Sequence, residues 1–381
     1  MKILHIIGGS PQSGAYKGTE ILHRTLNEMD INSSILNDIS NDSSLNKNFK
    51  KKILYKLFKV IEKIIKTIFL PSPRSTFTVG LFGFDITKFE EYRYADIIHI
   101  HWFNDGFINL KSLQKINKPT IWTMRDMWAF TGGSHYDSDF EKYEKSYISK
   151  KFKSFKKKCL SEKIQFIAIS DWLKEKAKKS SVLSGRNIKT IYNNIDLSSL
   201  DIISKNEARN KLNLNTKKKI LLFGANNPQI KRKGWEIFVE SLKKLDKSKY
   251  FLSIFGNFWS DKILDEIGIE YKSFGFINEK KILNYQYSSA DLFIASSIQE
   301  AFGKTWAESL ACGTPIVCFS NTAASEIIKH KIDGYIVNKT NSDELKNGIE
   351  WLSQNTEKIA NVNDLRKTVE IFNPKEISRQ Y

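Results

Sequence analysis

The chain has 381 residues, and an apolar content of 41% supplies two ordinary cores, hence two domains. Its formal charge is +18, which points to phosphate-bearing partners or an anionic surface. Three cysteines without metal-ligand spacing, Cys159, Cys312 and Cys318, exclude a disulfide framework, and no uncharged run reaches the length of a membrane span.

Residues 2–7 read as a buried first strand, with too few apolar residues before Gly8-Gly9 for a signal peptide, so a cytosolic setting is expected. A glycine loop follows, and residues 19–29 read as a helix. Gly8-Gly9 and Gly14 to Gly18 do not give the G-x-G-x-x-G spacing of a dinucleotide fingerprint, which argues against a dehydrogenase.

Residues 51–70 form a basic amphipathic segment. Leu54, Leu57, Phe58, Ile61, Ile64, Ile65 and Ile68 recur at helical spacing, and Lys52, Lys56, Lys59, Lys63 and Lys66 take the other side. Such a helix either lies in the headgroup layer of an anionic membrane or packs its stripe on a core with its lysines in water. A second basic cluster, residues 150–158, interleaves Phe152 and Phe155 and extends the same kind of surface. Nucleic acid is the competing partner, but no nucleic-acid module is visible and the stripe is aliphatic rather than a stacking platform.

Residues 95–102, 120–124 and 165–170 read as further buried strands, the last followed by a helix from Asp171. A second half opens with the strands 219–224 and 251–256, each closed by glycine. Strands alternating with helices imply parallel sheets. Between these two strands, Lys231-Arg232-Lys233-Gly234 places three cations beside a glycine, a phosphate-binding composition.

Residues 290–296 read as a strand ending in small residues, and a helix runs through Glu308-Ser309-Leu310-Ala311. The strand-loop-helix junction between them leaves the amides of Phe302, Gly303 and Lys304 at a helix N-terminus, where partial positive charge suits a phosphate oxygen. Glu300 sits in the loop and Glu308 two turns into the helix. Two carboxylates flanking an anion-binding helix end suit the sugar and ribose hydroxyls on either side of a diphosphate.

Glu300-Ala301-Phe302-Gly303 with Glu308, then Ala311-Cys312-Gly313-Thr314-Pro315-Ile316-Val317, Glu326-Ile327-Ile328 and Gly334-Tyr335-Ile336-Val337 together resemble the donor-binding half of retaining glycosyltransferases of family 4, which have the GT-B architecture. In the first half, Ser13-Gly14-Ala15-Tyr16-Lys17, Leu22-His23-Arg24, Ala95-Asp96-Ile97-Ile98-His99-Ile100-His101-Trp102 and Asp126-Met127-Trp128 through Gly132-Gly133-Ser134-His135-Tyr136 resemble the bacterial polysaccharide-biosynthesis subgroup. Ile191-Tyr192-Asn193-Asn194-Ile195-Asp196 is similar to the family's interdomain segment.

The resemblance implies two Rossmann-like parallel-sheet domains facing a central cleft: an acceptor-binding domain at 1–199, a nucleotide-sugar-binding domain at 200–370, and a C-terminal helix at 371–381 packing back on the first. It implies transfer of a sugar from a UDP- or GDP-sugar, without a metal or other cofactor and with retention, to a lipid-linked oligosaccharide at the inner membrane face. Lipopolysaccharide O-antigen, capsule or exopolysaccharide assembly is the expected setting. Glu300, Lys233 and Arg125 are the expected catalytic residues. Glu308, Arg232, Gly14, Phe302, Gly303, Lys304 and Gly275 are expected at the donor, and His101, Trp102 and His135 at the acceptor. No nucleic acid is expected.

Three departures from the family pattern, and one motif of another transferase class, bear on chemistry. Arg125 stands where many members have histidine, and an arginine stays protonated, so it clamps an anion rather than acting as a base. Ala225 replaces an arginine after Gly224, which shifts phosphate charge onto Lys233 and Arg232. Ser134 replaces a cysteine, and Asp137-Ser138-Asp139 has the D-x-D pattern of metal-dependent transferases but lies in the wrong half. Two other classes fit parts of the pattern: an inactive sugar-nucleotide-binding partner subunit and a basic nucleic-acid-binding protein.

Overall fold

The computed structural model describes residues 1–38, 48–69, 75–258 and 262–381. The chain divides into two units, Met1–Asn194 with Pro374–Tyr381 and Ile195–Asn373. The crossing falls after Asn194 rather than after residue 199, and the return at Pro374 rather than 371. Arg366 explains the first shift: it donates to the carbonyls of Leu197 (3.2 Å) and Leu200 (2.6 Å), which holds residues 197–200 to the second unit.

The first unit is built on a six-stranded sheet: β1 (Lys2–Ile7), β2 (Asn32–Leu36), β3 (Ile97–Trp102), β4 (Thr120–Met124), β5 (Ile164–Ala168) and β6 (Ile188–Thr190), in the order β2-β1-β3-β4-β5-β6. The second holds β7 (Lys219–Gly224), β8 (Tyr250–Phe255), β9 (Tyr271–Ser273), β10 (Leu292–Ala295), β11 (Ile316–Phe319) and β12 (Gly334–Val337), in the order β12-β11-β10-β7-β8-β9. The pairs are parallel. β8, β10 and β11 are buried along their whole length, as parallel strands covered by helices on both faces must be, which is why they read as continuous apolar runs.

Strand order reverses between β1 and β3 in one sheet and between β7 and β10 in the other. At such a switch point the loops leaving the two strands diverge to opposite faces and open a crevice at the strands' carboxyl ends, where open α/β sheets bind ligands. The second unit's core lies beneath this point: Phe223 stacks on Phe238 at 3.9 Å, with Leu242, Leu252, Ile294 and Leu345 around them.

Two helices differ from expectation. α1 spans Gly14–Glu28 rather than 19–29, because Ser13 caps it by accepting from the Tyr16 amide at 3.2 Å, so Gly14 and Gly18 lie in the helix and not in a loop. α2 spans Phe49–Phe69, and Leu70, the last residue of the predicted amphipathic segment, lies outside the described residues. α2 is held by Tyr55, Phe58, Glu62 and Ile65. The Glu62 carboxylate accepts from the amides of Val79 (2.9 Å) and Gly80 (3.0 Å), and Tyr55 donates to Asp38. Ile53, Leu57, Val60, Ile64 and Ile68, on the opposite side, are each at least half exposed. The stripe read from sequence is thus divided between two faces, because Tyr55 and Glu62, not the aliphatic residues, make the deepest contacts.

Candidate active site

In the second unit the loops leaving β7 and β10 are stitched together. The Arg232 carbonyl accepts from the Ile298 amide at 2.7 Å, and the Ser296 hydroxyl donates to the Lys233 carbonyl at 2.8 Å. Gly234 has φ +68°, and a Cβ there would overlap the Ser296 carbonyl oxygen, so only glycine permits this approach. The result sets the basic turn Lys231–Lys233 against Glu300. Lys233 Nζ donates to Glu300 Oε2, and Arg232 Nη1 lies 3.7 Å from the same oxygen. Burial pushes the Glu300 carboxyl up, but the charges of Lys233 and Arg232 and the Lys233 hydrogen bond outweigh it and hold the group below the usual carboxylate range.

The helix Lys304–Ala311 begins directly after this loop. Its N-cap is Gly303 at φ +88°, which supplies no side-chain hydrogen bond; the Trp306 amide donates to the Gly303 carbonyl at 2.9 Å, and the amides ahead of it stand at the helix start, where a ligand oxygen is favoured. Phe302 is buried against Phe372, ring centroids 5.0 Å apart, and anchors the turn. Glu308, in the second turn, accepts from the Tyr287 hydroxyl at 2.9 Å and lies 3.5 Å from Lys304 Nζ. Gly275, with φ +62°, accepts from the Gly256 amide at 2.8 Å and ties the turns after β8 and β9. The second unit therefore gathers Lys233, Arg232, Glu300, the Gly303 turn and Glu308 on the β7–β10 side of its sheet, with Gly275 on the β8–β9 side.

In the first unit Gly14 opens α1 with free space where a Cβ would be. Trp102 closes β3 and packs on Gly9, where a Cβ would lie 2.9 Å from the indole. His135 is buried and committed: it bonds Asp126 Oδ2 at 2.6 Å and faces Trp102 Nε1 at 3.3 Å and Thr78 at 3.2 Å. Asp137-Ser138-Asp139 form a short 3₁₀ turn, Asp137–Phe140.

Arg125, after β4, is 8% exposed. Its Nη1 donates to Asn193 Oδ1 and its Nη2 to His101 Nδ1 at 3.2 Å. Because arginine only donates, His101 Nδ1 must accept. The hydrogen of that neutral imidazole therefore sits on Nε2, which donates to His5 Nδ1 at 3.0 Å. His5, His99 and His101 lie close enough to hold a metal ion, yet this tautomer presents an N–H where a metal needs a lone pair. His99 bonds Thr123 at 2.8 Å, and Thr123 bonds the Tyr381 hydroxyl at 3.0 Å.

Tyr287, Asn193 and Tyr381 escaped the sequence reading. Tyr287 and Asn193 act on the predicted Glu308 and Arg125, and Tyr381 on Thr123, across separations that local spacing does not reveal. The histidines of β1 and β3 were readable as alternate positions on buried strands, but their mutual contact requires knowing that β1 pairs with β3.

Residues 204–367, within the second unit, match the family model described as "Glycosyl transferases group 1". The match covers less than half of the chain. The matched segment contains Arg232, Lys233, Gly275, Tyr287, Glu300, Gly303 and Glu308. An uncharacterized glycosyltransferase of Methanocaldococcus jannaschii is 27% identical over 67% of this chain but only 65% of its own length, under two thirds. A 41.2 kDa protein in the cps region of Klebsiella pneumoniae is 24% identical over 72% of this chain and 74% of its own. Among solved structures, sucrose-phosphate synthase of Thermosynechococcus elongatus aligns with a TM-score of 0.71 at 16% identity, covering 100% of this chain and 96% of that one. Anabaena HepE in complex with UDP and glucose aligns at 0.64 and 16%, covering 100% and 98%. These likenesses identify the fold as GT-B, with the segment that matches glycosyl transferases group 1 inside its second unit.

The histidine cluster of the first unit gives a pH signature. Burial, with the nearby His23 and Arg125 charges, holds His5 down at about 3, and burial with neighbouring charges also lowers His99 and His101. Unfolded histidine titrates near about 6.5, so as pH falls below that value the unfolded chain takes up protons the folded one refuses. Stability should drop at up to about 1.4 kcal/mol per pH unit per histidine, from about pH 6.5 toward pH 3. Chemical denaturation at pH 7, 6 and 5 should show this fall, and His5→Gln should make it shallower by removing one of the three contributions.

Proposed function

We propose that the chain is a retaining glycosyltransferase that moves a sugar from a nucleoside-diphosphate sugar, a UDP- or GDP-sugar, to a saccharide acceptor, without a metal. The observation that carries this reading is Lys233 and Arg232 meeting Glu300 beside the Gly303 helix start, within the segment that matches glycosyl transferases group 1. HepE, of the same fold, was solved with UDP and glucose. Without ligand, the cation suited to the diphosphate and the carboxylate suited to sugar hydroxyls neutralise one another. Donor binding exchanges partners: the diphosphate takes Lys233 and Arg232, and Glu300 accepts from the transferred sugar. Glu308, held by Tyr287, accepts from the ribose.

In the transfer step the bond between the sugar's anomeric carbon and the diphosphate oxygen breaks, and the leaving nucleoside diphosphate gains negative charge. Lys233, Arg232 and the amides at the Gly303 turn stabilise that charge as it develops. The acceptor hydroxyl attacks the same face of the anomeric carbon, and its proton passes to a donor phosphate oxygen. Glu300→Ala and Lys233→Ala should each lower turnover at least about 100-fold with unchanged far-UV circular dichroism, and chelator should leave wild-type turnover intact. Near-normal transfer by either variant, or loss on chelation, refutes the mechanism.

The acceptor side of the proposal is a lipid-linked oligosaccharide in surface polysaccharide assembly, reached from the cytoplasmic membrane face. No helix among the described residues is long and apolar enough to cross a membrane. α2 instead offers Ile53, Leu57, Val60, Ile64 and Ile68 to solvent, flanked by the exposed Lys52, Lys56, Lys59 and Lys63. An aliphatic stripe bordered by cations complements an anionic lipid surface: the stripe enters the acyl boundary and each lysine adds about 1 kcal/mol near the headgroups. The Klebsiella relative's place in a cps region agrees with a polysaccharide setting. Replacing the five aliphatic residues by glutamine should abolish flotation with phosphatidylglycerol vesicles, and raised salt should weaken wild-type binding; unchanged flotation contradicts this face as the contact.

A further inference from the structure

Among the described residues, Arg125 is a buried cation without a counter-anion. It is 8% exposed, and its hydrogen-bond partners, Asn193 and His101, are both neutral. Its Nε has no hydrogen-bond partner, and among the described residues no carboxylate lies within ion-pair range of it. Its other neighbours supply no formal negative charge: burial keeps His5, His99 and His101 neutral, and Tyr381 presents a phenol. Taking a guanidinium out of water costs several kcal/mol unless an anion answers it. The fold nevertheless holds this cation in place. Asn193 and His101 fix two of its nitrogens, and Gly18 of α1 makes room for it, since a Cβ there would lie 2.9 Å from Arg125 Nη1 and 2.8 Å from Asn193 Oδ1.

We infer that Arg125 is the recognition element of an oxyanion subsite in the first unit, and that the saccharide substrate bound there carries a carboxylate or a phosphate. The inference deepens the transferase reading and rests on it only for the saccharide class. A planar guanidinium with a free Nε–H matches an oxyanion better than a hydroxyl. The missing charge is then supplied by the ligand, so the cost of burying Arg125 is offset only when the right substrate is present. A neutral sugar leaves that cost standing, which makes the same residue a discriminator against uncharged analogues.

The test is a thermal-shift titration of the full chain and of Arg125→Gln and Arg125→Lys with glucuronate, glucose, glucose 1-phosphate and inorganic phosphate, ionic strength matched with chloride. Stabilisation by glucuronate but not glucose, with apparent affinity at least about tenfold weaker in Arg125→Gln and partly restored in Arg125→Lys, supports the subsite with a carboxylate as its ligand. Stabilisation by glucose 1-phosphate and phosphate with the same dependence on Arg125 supports it with a phosphate. Anion effects equal in wild type and Arg125→Gln, or no effect beyond chloride in wild type, overturn it, the second result deciding even if the glutamine variant does not fold. UDP and GDP run in parallel separate this outcome from failure of the transferase reading, because their stabilisation depends on Lys233 and Glu308 of the second unit.

Discussion

The candidate donor site depends on one close approach. Gly234 and the Ser296 carbonyl sit where no side chain fits between them, and that contact brings the loop after β7 against the loop after β10. Sheet order makes the approach available, because β7 and β10 are neighbours at the point where the sheet changes direction. Everything charged follows from it. Lys233 and Arg232 come from one loop and Glu300 from the other, and the helix that starts after Gly303 adds its amides on the same side. Glu300 offsets one of the two positive charges without ligand, which limits the cost of holding three largely buried charges together and leaves a net positive site ready for a ligand that carries both a diphosphate and hydroxyls.

The first unit contrasts with this. Its own switch point lies between β1 and β3, and the side chains there are histidines rather than acids. Arg125 sets their hydrogen-bond polarity: Arg125 donates to His101, His101 to His5, and the final His5 Nε2 is buried without a hydrogen-bond partner. A chain of donors ending in an unanswered N–H, beside a cation without a counter-anion, is costly in the ligand-free protein. Proteins keep such arrangements where function requires them and compensate elsewhere. The second unit sets one carboxylate against its two cations, whereas the first, among the described residues, holds its cation with neutral partners only.

Much of this was legible before the structure. The central strands β1, β3, β4, β5, β7, β8 and β10 were readable because buried parallel strands are short apolar runs, as in residues 219–224 and 251–256, whereas the half-exposed β2 and the three-residue β6 and β9 carry no such run, and β11 and β12 were read only as motif segments. Glu300, Glu308, Lys233 and the Gly303 turn were readable because the chemistry that joins them is carried by local spacing. What the sequence hid was non-local. The ion pair between Lys233 and Glu300 spans two strands that are neighbours only in space, so the residues were assigned to different parts of a ligand with no sign that they hold each other. Periodicity located α2 but not its inward face, since the contacts that seat it are polar ones from Tyr55 and Glu62. Gly14 and Gly18 read as loop because glycine is a poor helix former, yet the helix includes them because Ser13 caps it and Arg125 needs the space.

The exchange of partners at Glu300 is the central claim, and the most direct test is the affinity of the free nucleoside diphosphate, measured calorimetrically in wild type and in Glu300→Gln. Removing the competing carboxylate releases Lys233 and Arg232 without removing any group that touches the diphosphate. The account therefore predicts that the nucleoside diphosphate binds Glu300→Gln more tightly than wild type, even though transfer from the corresponding nucleotide-sugar is lost. Weaker binding of the nucleoside diphosphate by Glu300→Gln would contradict it.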